Sequence, residues 1–418
     1  MKYNKYIINN MNVYNIKTSK FKNAYIEFRF RDYMQNIDAP VRTFMLQLMN
    51  TTNKKYRTDR ELNIALEEIY DADIYTGGYR TGNIYIGSIG IEFLSPKYIK
   101  EKDYFNNVFN SLVECIVNPN VDDCKWDELV YHNHIDNFAV HIDKYLDSPV
   151  DYTIIESRKR LFKGSIVANR IVGTKEDLKR INPESLYSEW NNMLNNSAID
   201  VIVVGELDMD DVASLIKNCS IRNNSSNEIT DEIIIQEIKP FKSESESKDF
   251  NQTNMIMYFQ NKGLTDKEKY FIGPVFRNIL GGGGLSDKLG NYLRMQNSLC
   301  YAYSCQIINP DSYMFIGTSL SKDNVAKAKE FIIKAFDDMK NGNITTGELM
   351  MHQEKFLTDI KARQDDIFAI GNNYYYHDLL GTPLFDEYND VIKRITIKEI
   401  VEYANKWIMT YLFVLKER

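Results

Sequence analysis

The sequence predicts an α+β protein of two homologous domains, each a mostly antiparallel sheet packed with helices on one face. Three observations support this prediction. The chain has 418 residues, of which 44% are hydrophobic, so it can bury more than one core. A polar segment divides it into two halves, and the same order of helices and alternating strands occurs in both. Such an order is typical of antiparallel sheets that are covered by helices.

Apolar spacing predicts the elements of the first half. A helix is predicted at residues 60–70, and alternating strands follow at 73–79 and 83–93. A second helix, with apolar residues at helical spacing, is predicted from Tyr104 to Ile116. A strand at 200–205 closes this half.

The second half repeats this order after a run of four glycines. Ser286 and Asp287 are typical residues for the start of a helix, and the apolar face of this helix is predicted to contain Leu285, Leu289, Tyr292 and Leu293. Strands at 299–308 and 313–319 follow. An amphipathic helix with apolar residues from Val325 to Phe336 and a strand at 411–415 complete the half.

The least globular part of the chain is the segment 218–251, where runs of Asn, Ser, Glu and Lys cannot pack a core. The predicted domains are therefore 1–222 and 251–418, joined by a linker at 223–250. A short apolar stretch at 233–238 inside this segment is predicted to be a strand of the second half.

Charge and composition narrow the class of protein. A net charge of -7 argues against a nucleic-acid surface, which needs clustered Lys and Arg. Five cysteines without a CxxC pair fit a reducing compartment. Neither a signal-peptide apolar region nor an apolar run of 18 residues is present in the sequence. We therefore predict a cytoplasmic protein that does not bind membranes.

Arg294 and Tyr301 are the candidate functional residues, seven positions apart just after the glycines. An arginine fork and a tyrosine hydroxyl beside a flexible turn can hold a peptide carbonyl or carboxylate. A purely structural role, at a helix end and in a half-buried strand, is also open for both. No Lys-Ser or Lys-Thr follows the glycines as in a phosphate loop. We predict that substrate is bound by this pair and by the turn, which consists of Gly281, Gly282, Gly283 and Gly284.

Three of the five histidines, His132, His134 and His141, fall close together in the sequence. On a helix His134 and His141 would share a face, whereas His132 would point away from His134. A zinc site needs three or four convergent ligands, and no HExxH or HxxEH pair is present to supply two of them together with a general base. Surface or interdomain positions are the alternative interpretation of these histidines.

The second half resembles the M16 (insulinase- or pitrilysin-like) peptidases, and specifically the noncatalytic partner subunits of the bacterial two-subunit type. In that family a glycine-rich turn and a helix precede an Arg and a Tyr, and the segment Arg294-Met-Gln-Asn-Ser-Leu-Cys-Tyr301 keeps Arg, Leu and Tyr at the same spacing. The repeated layout extends the resemblance over nearly the whole chain. It implies an M16 half-shell in which Arg294 and Tyr301 bind substrate and assist the transition state.

The family's zinc motif, His-x-x-Glu-His, is absent from the segment that resembles the zinc helix. Thr43, Leu46 and Gln47 occupy the positions of the two histidines and the glutamate. None of them can replace an imidazole ligand or the general base, so no metal or other cofactor is expected in this chain.

The resemblance thus implies a zinc-free, substrate-binding subunit of a heterodimeric metallopeptidase that has no independent activity. Its partner would be an HxxEH-containing M16 subunit that carries the zinc, and Arg294 and Tyr301 would act in trans on a peptide substrate. Two alternatives stay open. One is a catalytically silent scaffold or peptide-binding protein with the same fold. The other is a self-sufficient peptidase that uses His132, His134 and His141.

Overall fold

The computed structural model describes residues 2–224, 229–230, 233–282, 284 and 286–418, without the side chains of Lys2 and Tyr301. The strands in this part are β1 (Lys2–Ile8), β2 (Met11–Lys17), β3 (Asn23–Tyr33), β4 (Asp73–Thr81), β5 (Ile84–Leu94), β6 (Val121–Asp122), β7 (Lys125–Trp126), β8 (Ala198–Gly205), β9 (Lys242–Lys248), β10 (Thr253–Gln260), β11 (Cys300–Ile308), β12 (Tyr313–Leu320) and β13 (Ile408–Glu417).

The α-helices in the same part are α1 (Ala39–Met49), α2 (Asp59–Glu67), α3 (Tyr104–Val117), α4 (Glu128–Asp147), α5 (Pro149–Leu161), α6 (Lys175–Leu178), α7 (Pro183–Asn196), α8 (Met209–Asn218), α9 (Gly273–Arg277), α10 (Val325–Asn341), α11 (Thr346–Arg363), α12 (Ile367–Leu380), α13 (Tyr388–Ile392) and α14 (Ile397–Asn405). Segments Glu268–Ile272, Asn278–Gly282 and Gly290–Met295 are π-helical. No helix within the described ranges is long and apolar enough to cross a membrane.

The first compact unit contains residues 1–143, 169–231 and 366–380. Its six-stranded sheet has the order β1-β2-β8-β3-β5-β4, and only the β2–β8 pair is parallel among its described pairings. Alternate residues of β3, such as Ile26 and Phe28, are buried against one layer of helices that includes α1, α3 and α7. The predicted helix 60–70 is α2, which begins with a capping box between Thr58 and Glu61. The predicted strands 73–79 and 83–93 are β4 and β5.

The opposite face of this sheet is also covered, by α12, so the expectation of helices on one face is wrong. The intervening β3 residues Tyr25, Glu27 and Arg29 are buried on that side. Arg29 donates to Asn372 of α12 at 2.6 Å and to Glu27 at 3.0 Å, and its guanidinium lies 4.4 Å from the ring centre of Tyr375. The alternating pattern of β3 therefore has two buried faces, one apolar and one polar.

The second compact unit contains residues 144–168, 232–365 and 381–418. Its five-stranded sheet has the order β11-β12-β10-β13-β9, with β13–β9 as the parallel pair. One face buries an apolar core against α9, α10 and α14, including Met257, Ile332 and Ile400. The other face is covered by α5, where Ser157 Oγ lies 2.8 Å from Tyr258 Oη.

The polar segment predicted as a linker contains a strand, although not where the apolar residues suggested one. Residues 233–238 are irregular, whereas β9 (Lys242–Lys248) pairs with β13 at the edge of the second sheet. Glu246 accepts hydrogen bonds from Tyr152 and Arg160 of α5, while the three serines that alternate with the glutamates are exposed. Backbone pairing with β13 and polar side-chain contacts, rather than apolar burial, hold this strand in place.

Candidate functional site

Arg294 lies in the last turn of the helical segment Gly290–Met295, at a place where the second unit has two open depressions. One depression, of about 900 Å³, is lined by Arg294 together with residues of the β11 and β12 ends such as Cys300 and Leu320. The other, of about 810 Å³, is lined by Arg294, the glycine-rich turn and residues 302–306 of β11. Arg294 is therefore placed to reach a ligand from the wall that the two depressions share.

The glycine-rich turn forms part of that wall. Gly281, Gly282 and Gly284 line the depression, and Gly283 lies outside the described residues. A Cβ on Gly281 would lie 2.5 Å from Leu289 Cδ1, and Gly284 has a φ of +87°. Glycine is thus required at these two positions by packing and by backbone conformation.

Asp287 anchors the turn. Its side chain is buried, accepts a 2.6 Å hydrogen bond from the Gly290 amide and so caps the helix, as predicted for this position. Tyr303 Oη lies 3.1 Å from both Asp287 carboxylate oxygens and 2.7 Å from the Gly284 carbonyl oxygen. Burial, and then the Asp287 charge, raise the pKa of Tyr303 well above its usual value, so Tyr303 stays a neutral donor.

Tyr301 is in β11, the edge strand of the second sheet. The pairing register with β12 shifts between Cys300 and Ala302, so the strand has a bulge at Tyr301. A bulge turns a side chain away from the regular alternation and is common beside functional sites. The side chain of Tyr301 lies outside the described part, and its predicted role stays a prediction.

A second arginine, which the sequence analysis missed, lines the same depression as Arg294. Arg277 is the last residue of α9 and is half-buried. The buried Cys305 thiol also lines this depression, and burial raises its pKa to about 12. The thiol of Cys305 therefore adds no negative charge to this wall. No sequence pattern distinguishes Arg277 from other helix-end arginines, which is why it was not predicted.

An apolar groove of about 520 Å³ lies on the α5 face of the same sheet. It is lined by Val150 and Ile154 of α5 and by Phe315 and Gly317 of β12. Residues 302–304 of β11 line both this groove and the depression that contains the two arginines. The groove can accept an apolar side chain.

The positions that correspond to the zinc motif lie on α1 in the first unit. Thr43 Oγ1 lies 3.0 Å from Tyr85 Oη and donates to the Ile171 carbonyl oxygen at 3.2 Å. Leu46 is buried, and Gln47 is exposed. Buried hydroxyl and leucine side chains at these positions offer no imidazole or carboxylate to a metal.

The three clustered histidines lie on α4, and His134 Nε2 is 3.6 Å from Asp59 Oδ2. Within the described ranges, no group of three or more His, Cys, Asp or Glu residues is arranged to hold a metal ion. This chain offers no donor set on which a zinc mechanism can be built from its described side chains.

Comparison with known proteins gives consistent matches. Residues 180–356 match the family model described as the peptidase M16 inactive domain. The chain is 18% identical over 404 residues to a probable inactive metalloprotease of Bacillus subtilis, YmfF, and the match covers 96% of this chain and 94% of that protein.

Two solved structures share the fold over the whole chain. A conserved protein from Enterococcus faecalis V583 has a TM-score of 0.92 at 20% identity, covering 100% of this chain and 99% of that chain. A peptidase M16 inactive domain from Pseudomonas fluorescens has a TM-score of 0.80 at 12% identity, with the same coverage. The predicted resemblance and the two-part α+β fold class are confirmed.

Proposed function

We propose, from the premise that the chain is an inactive M16-type peptidase-like protein, that it is the zinc-free, substrate-binding subunit of a two-chain M16 metallopeptidase. In this proposal Arg294 and Tyr301 complete the active site of an HxxEH-containing partner subunit. The ligand is a peptide that the two subunits together degrade or mature.

The placement of Arg294 carries the proposal. Arg294 lines two open depressions, beside a turn whose glycines leave the approach free of side chains. Two N–H groups of one guanidinium can bind a peptide carbonyl and the oxyanion that forms from it. The hydroxyl of Tyr301, on the neighbouring strand, is proposed to donate to the same oxygen.

The partner has to supply the rest of the chemistry. Zinc in a peptidase polarises the scissile carbonyl and lowers the pKa of a bound water. Thr43 and Leu46 are committed to contacts inside the first unit and offer neither function. Positioning of the peptide and stabilisation of the oxyanion are contributions that this chain can make in trans.

The experiment that tests this proposal measures hydrolysis of a quenched fluorescent peptide library. This chain, an HxxEH-containing M16 chain from the same genome, and an equimolar mixture are assayed separately. We expect cleavage by the mixture alone. Cleavage by this chain alone would contradict the proposal. The absence of cleavage in all three samples would favour the scaffold or peptide-binding alternative.

Substitution of Arg294 is the sharper form of this test. Removing one donor to a developing oxyanion typically lowers kcat about 100-fold or more, and we expect this of Arg294→Ala in the mixture. Tyr301→Phe is expected to lower kcat in the same direction. Arg394→Ala is the matched control, because Arg394 is an exposed arginine of the same unit that lines neither depression.

The thermal unfolding of all three variants should match that of the wild type. If the mixture with Arg294→Ala turned over peptides at the wild-type rate, the composite active site would be ruled out. An Arg294→Ala chain that no longer folded would show instead that this arginine is structural.

A further inference from the structure

We infer that Arg277 and Arg294 together form a carboxylate-binding site, so that this chain selects peptides through a carboxylate held beside the glycine-rich turn. The inference deepens the proposed function and rests on it only in taking the ligand to be a peptide. Arg277 is a specificity-determining residue in this scheme, whereas Arg294 also serves the reaction.

Arg277 has few partners within the protein. Its Nε atom is buried and has no hydrogen-bond partner among the described residues. One terminal nitrogen lies 3.4 Å from Asn278 Oδ1, a long contact for a charged donor. The three buried arginines of the described residues, Arg29, Arg31 and Arg42, are each paired with a carboxylate instead. Apart from this long contact, the terminal nitrogens of Arg277 have no hydrogen-bond partner among the described residues, and they are the donors left for a ligand.

The depression around Arg277 has the composition of an anion site. It is lined by two arginines, by the glycines of the turn and by neutral polar side chains, and no acidic residue is among its described lining residues. The buried Asp287 carboxylate behind Tyr303 accepts hydrogen bonds from Gly290 and Tyr303. Two guanidinium groups in one depression repel each other, and a bound anion offsets that repulsion.

A carboxylate fits this arrangement because the planar guanidinium fork matches its two oxygens. A peptide can present a carboxylate from its C-terminus or from an Asp or Glu side chain. Gly281, Gly282 and Gly284 add no side chains that would narrow the approach. The two sources share one chemistry, and peptide pools that carry one of them at a time distinguish them.

The test is a binding measurement on the isolated full-length chain. Three pools of fluorescein-labelled octapeptides are compared by anisotropy. The first has a free C-terminal carboxylate and no Asp or Glu, the second is C-terminally amidated and has no Asp or Glu, and the third is amidated and contains one Glu. We expect the first or the third pool to bind about tenfold more tightly than the second, equivalent to about 1.4 kcal/mol.

Tighter binding of the first pool would identify the C-terminus as the source of the carboxylate, and tighter binding of the third an acidic side chain. Equal affinity for the three pools, or no binding of any, would overturn the inference.

Arg277→Ala should weaken binding of the preferred pool, the first or the third, about tenfold. It should abolish the advantage of that pool over the second pool, which carries no carboxylate. Arg277→Lys should keep part of that advantage, since it retains the charge without the fork, and it serves as the second variant if Arg277→Ala does not fold. Arg394→Ala controls for the change in net charge. Equal weakening of acidic and neutral pools by both Arg277 variants would show a structural role and overturn the inference.

Hydrolysis of the same pools by the mixture with the zinc-bearing partner separates this inference from the proposed function. Acid-selective binding without hydrolysis would contradict the proposed function and support the carboxylate site. Hydrolysis without any preference for acidic peptides would support the proposed function and overturn the carboxylate site.

Discussion

Asp287 is the residue on which the geometry of the glycine-rich turn depends. It is buried and accepts hydrogen bonds from the Gly290 amide and from Tyr303, which in turn reaches the Gly284 carbonyl oxygen. Asp287→Ala would leave the Gly290 amide without its acceptor and Tyr303 with only the Gly284 carbonyl oxygen, and we expect it to lower the free energy of unfolding by about 2 kcal/mol. Urea unfolding followed by circular dichroism measures this change.

Tyr303→Phe is the graded control, because it removes the hydroxyl group and keeps the helix cap. We expect it to cost about 1 kcal/mol. If the two variants lost the same stability, the cap would contribute nothing and the turn would be held mainly by Tyr303.

Single residues differ in how well the sequence predicts them. Asp287 follows a glycine run and precedes apolar residues at helical spacing, so its place at the start of the helix was predictable, and the structure confirms it. Its bond with Tyr303 joins residues 16 positions apart and belongs to no local pattern. Arg277 is a candidate binding residue only because it lines the same depression as Arg294 in the structure. Such pairings depend on tertiary contacts that local periodicity does not encode.

Helix α12 is docked onto the first sheet through a close backbone approach at Gly371. A Cβ at this position would lie 1.7 Å from Tyr25 Oη and 3.1 Å from Val204 Cγ2. Gly371→Ala must therefore push α12 away from the sheet or displace Tyr25. We expect a loss of about 1–3 kcal/mol in the free energy of unfolding, as is typical of an overpacked core.

Two further variants test this explanation. Tyr25→Phe removes the oxygen nearest to the new methyl group and should recover part of the loss in the double variant, so the two changes should not be additive. Gly347→Ala, in α11, has its nearest atom 4.0 Å away and should be neutral or slightly stabilising. Equal effects of Gly371→Ala and Gly347→Ala would mean that helix propensity, rather than docking, is being measured.

At the scale of elements, the sequence predicts which segments are helices and which are strands. It does not predict which sheet face each helix covers. Alternation predicted β4 and β5, and apolar residues at helical spacing predicted α3, because both patterns follow from burial of one face. The β9 strand was missed because its glutamates are held by Arg160 and Tyr152 rather than by apolar contacts. The apolar stretch at 233–238 was misassigned because apolar composition alone does not require a paired strand.

The chain forms two compact units, and each unit contains a helix from the other half of the sequence. Helix α5 lies before the predicted domain boundary at residue 222 but belongs to the second unit, and α12 lies after it but belongs to the first. The apolar periodicity of a helix indicates that one of its sides is buried, but it does not indicate which sheet covers that side. Each compact unit therefore contains residues from both predicted domains, and the predicted domain boundaries stay a prediction.

Each half of the chain, expressed alone, would lack one of the helices of its compact unit. Without α12, a fragment 1–222 would lose the Asn372 partner of Arg29 and the Asp378 partner of Tyr14, two hydrogen bonds of 2.6 Å. Arg29 and Tyr25, both buried in the whole chain, would become exposed. We expect fragment 1–222 alone to lack a cooperative thermal transition, because the polar face of its sheet is uncovered.

Co-expression of fragment 1–222 with fragment 223–418 should restore that transition, since α5 and α12 can then reach their own sheets, and the two fragments should co-purify. Calorimetry of each fragment and of the pair measures the difference. A cooperative transition of fragment 1–222 alone would show that the first sheet folds without α12. In that case α12 would be an addition to a self-sufficient domain, and the cost of Gly371→Ala would fall on the docking of α12 alone.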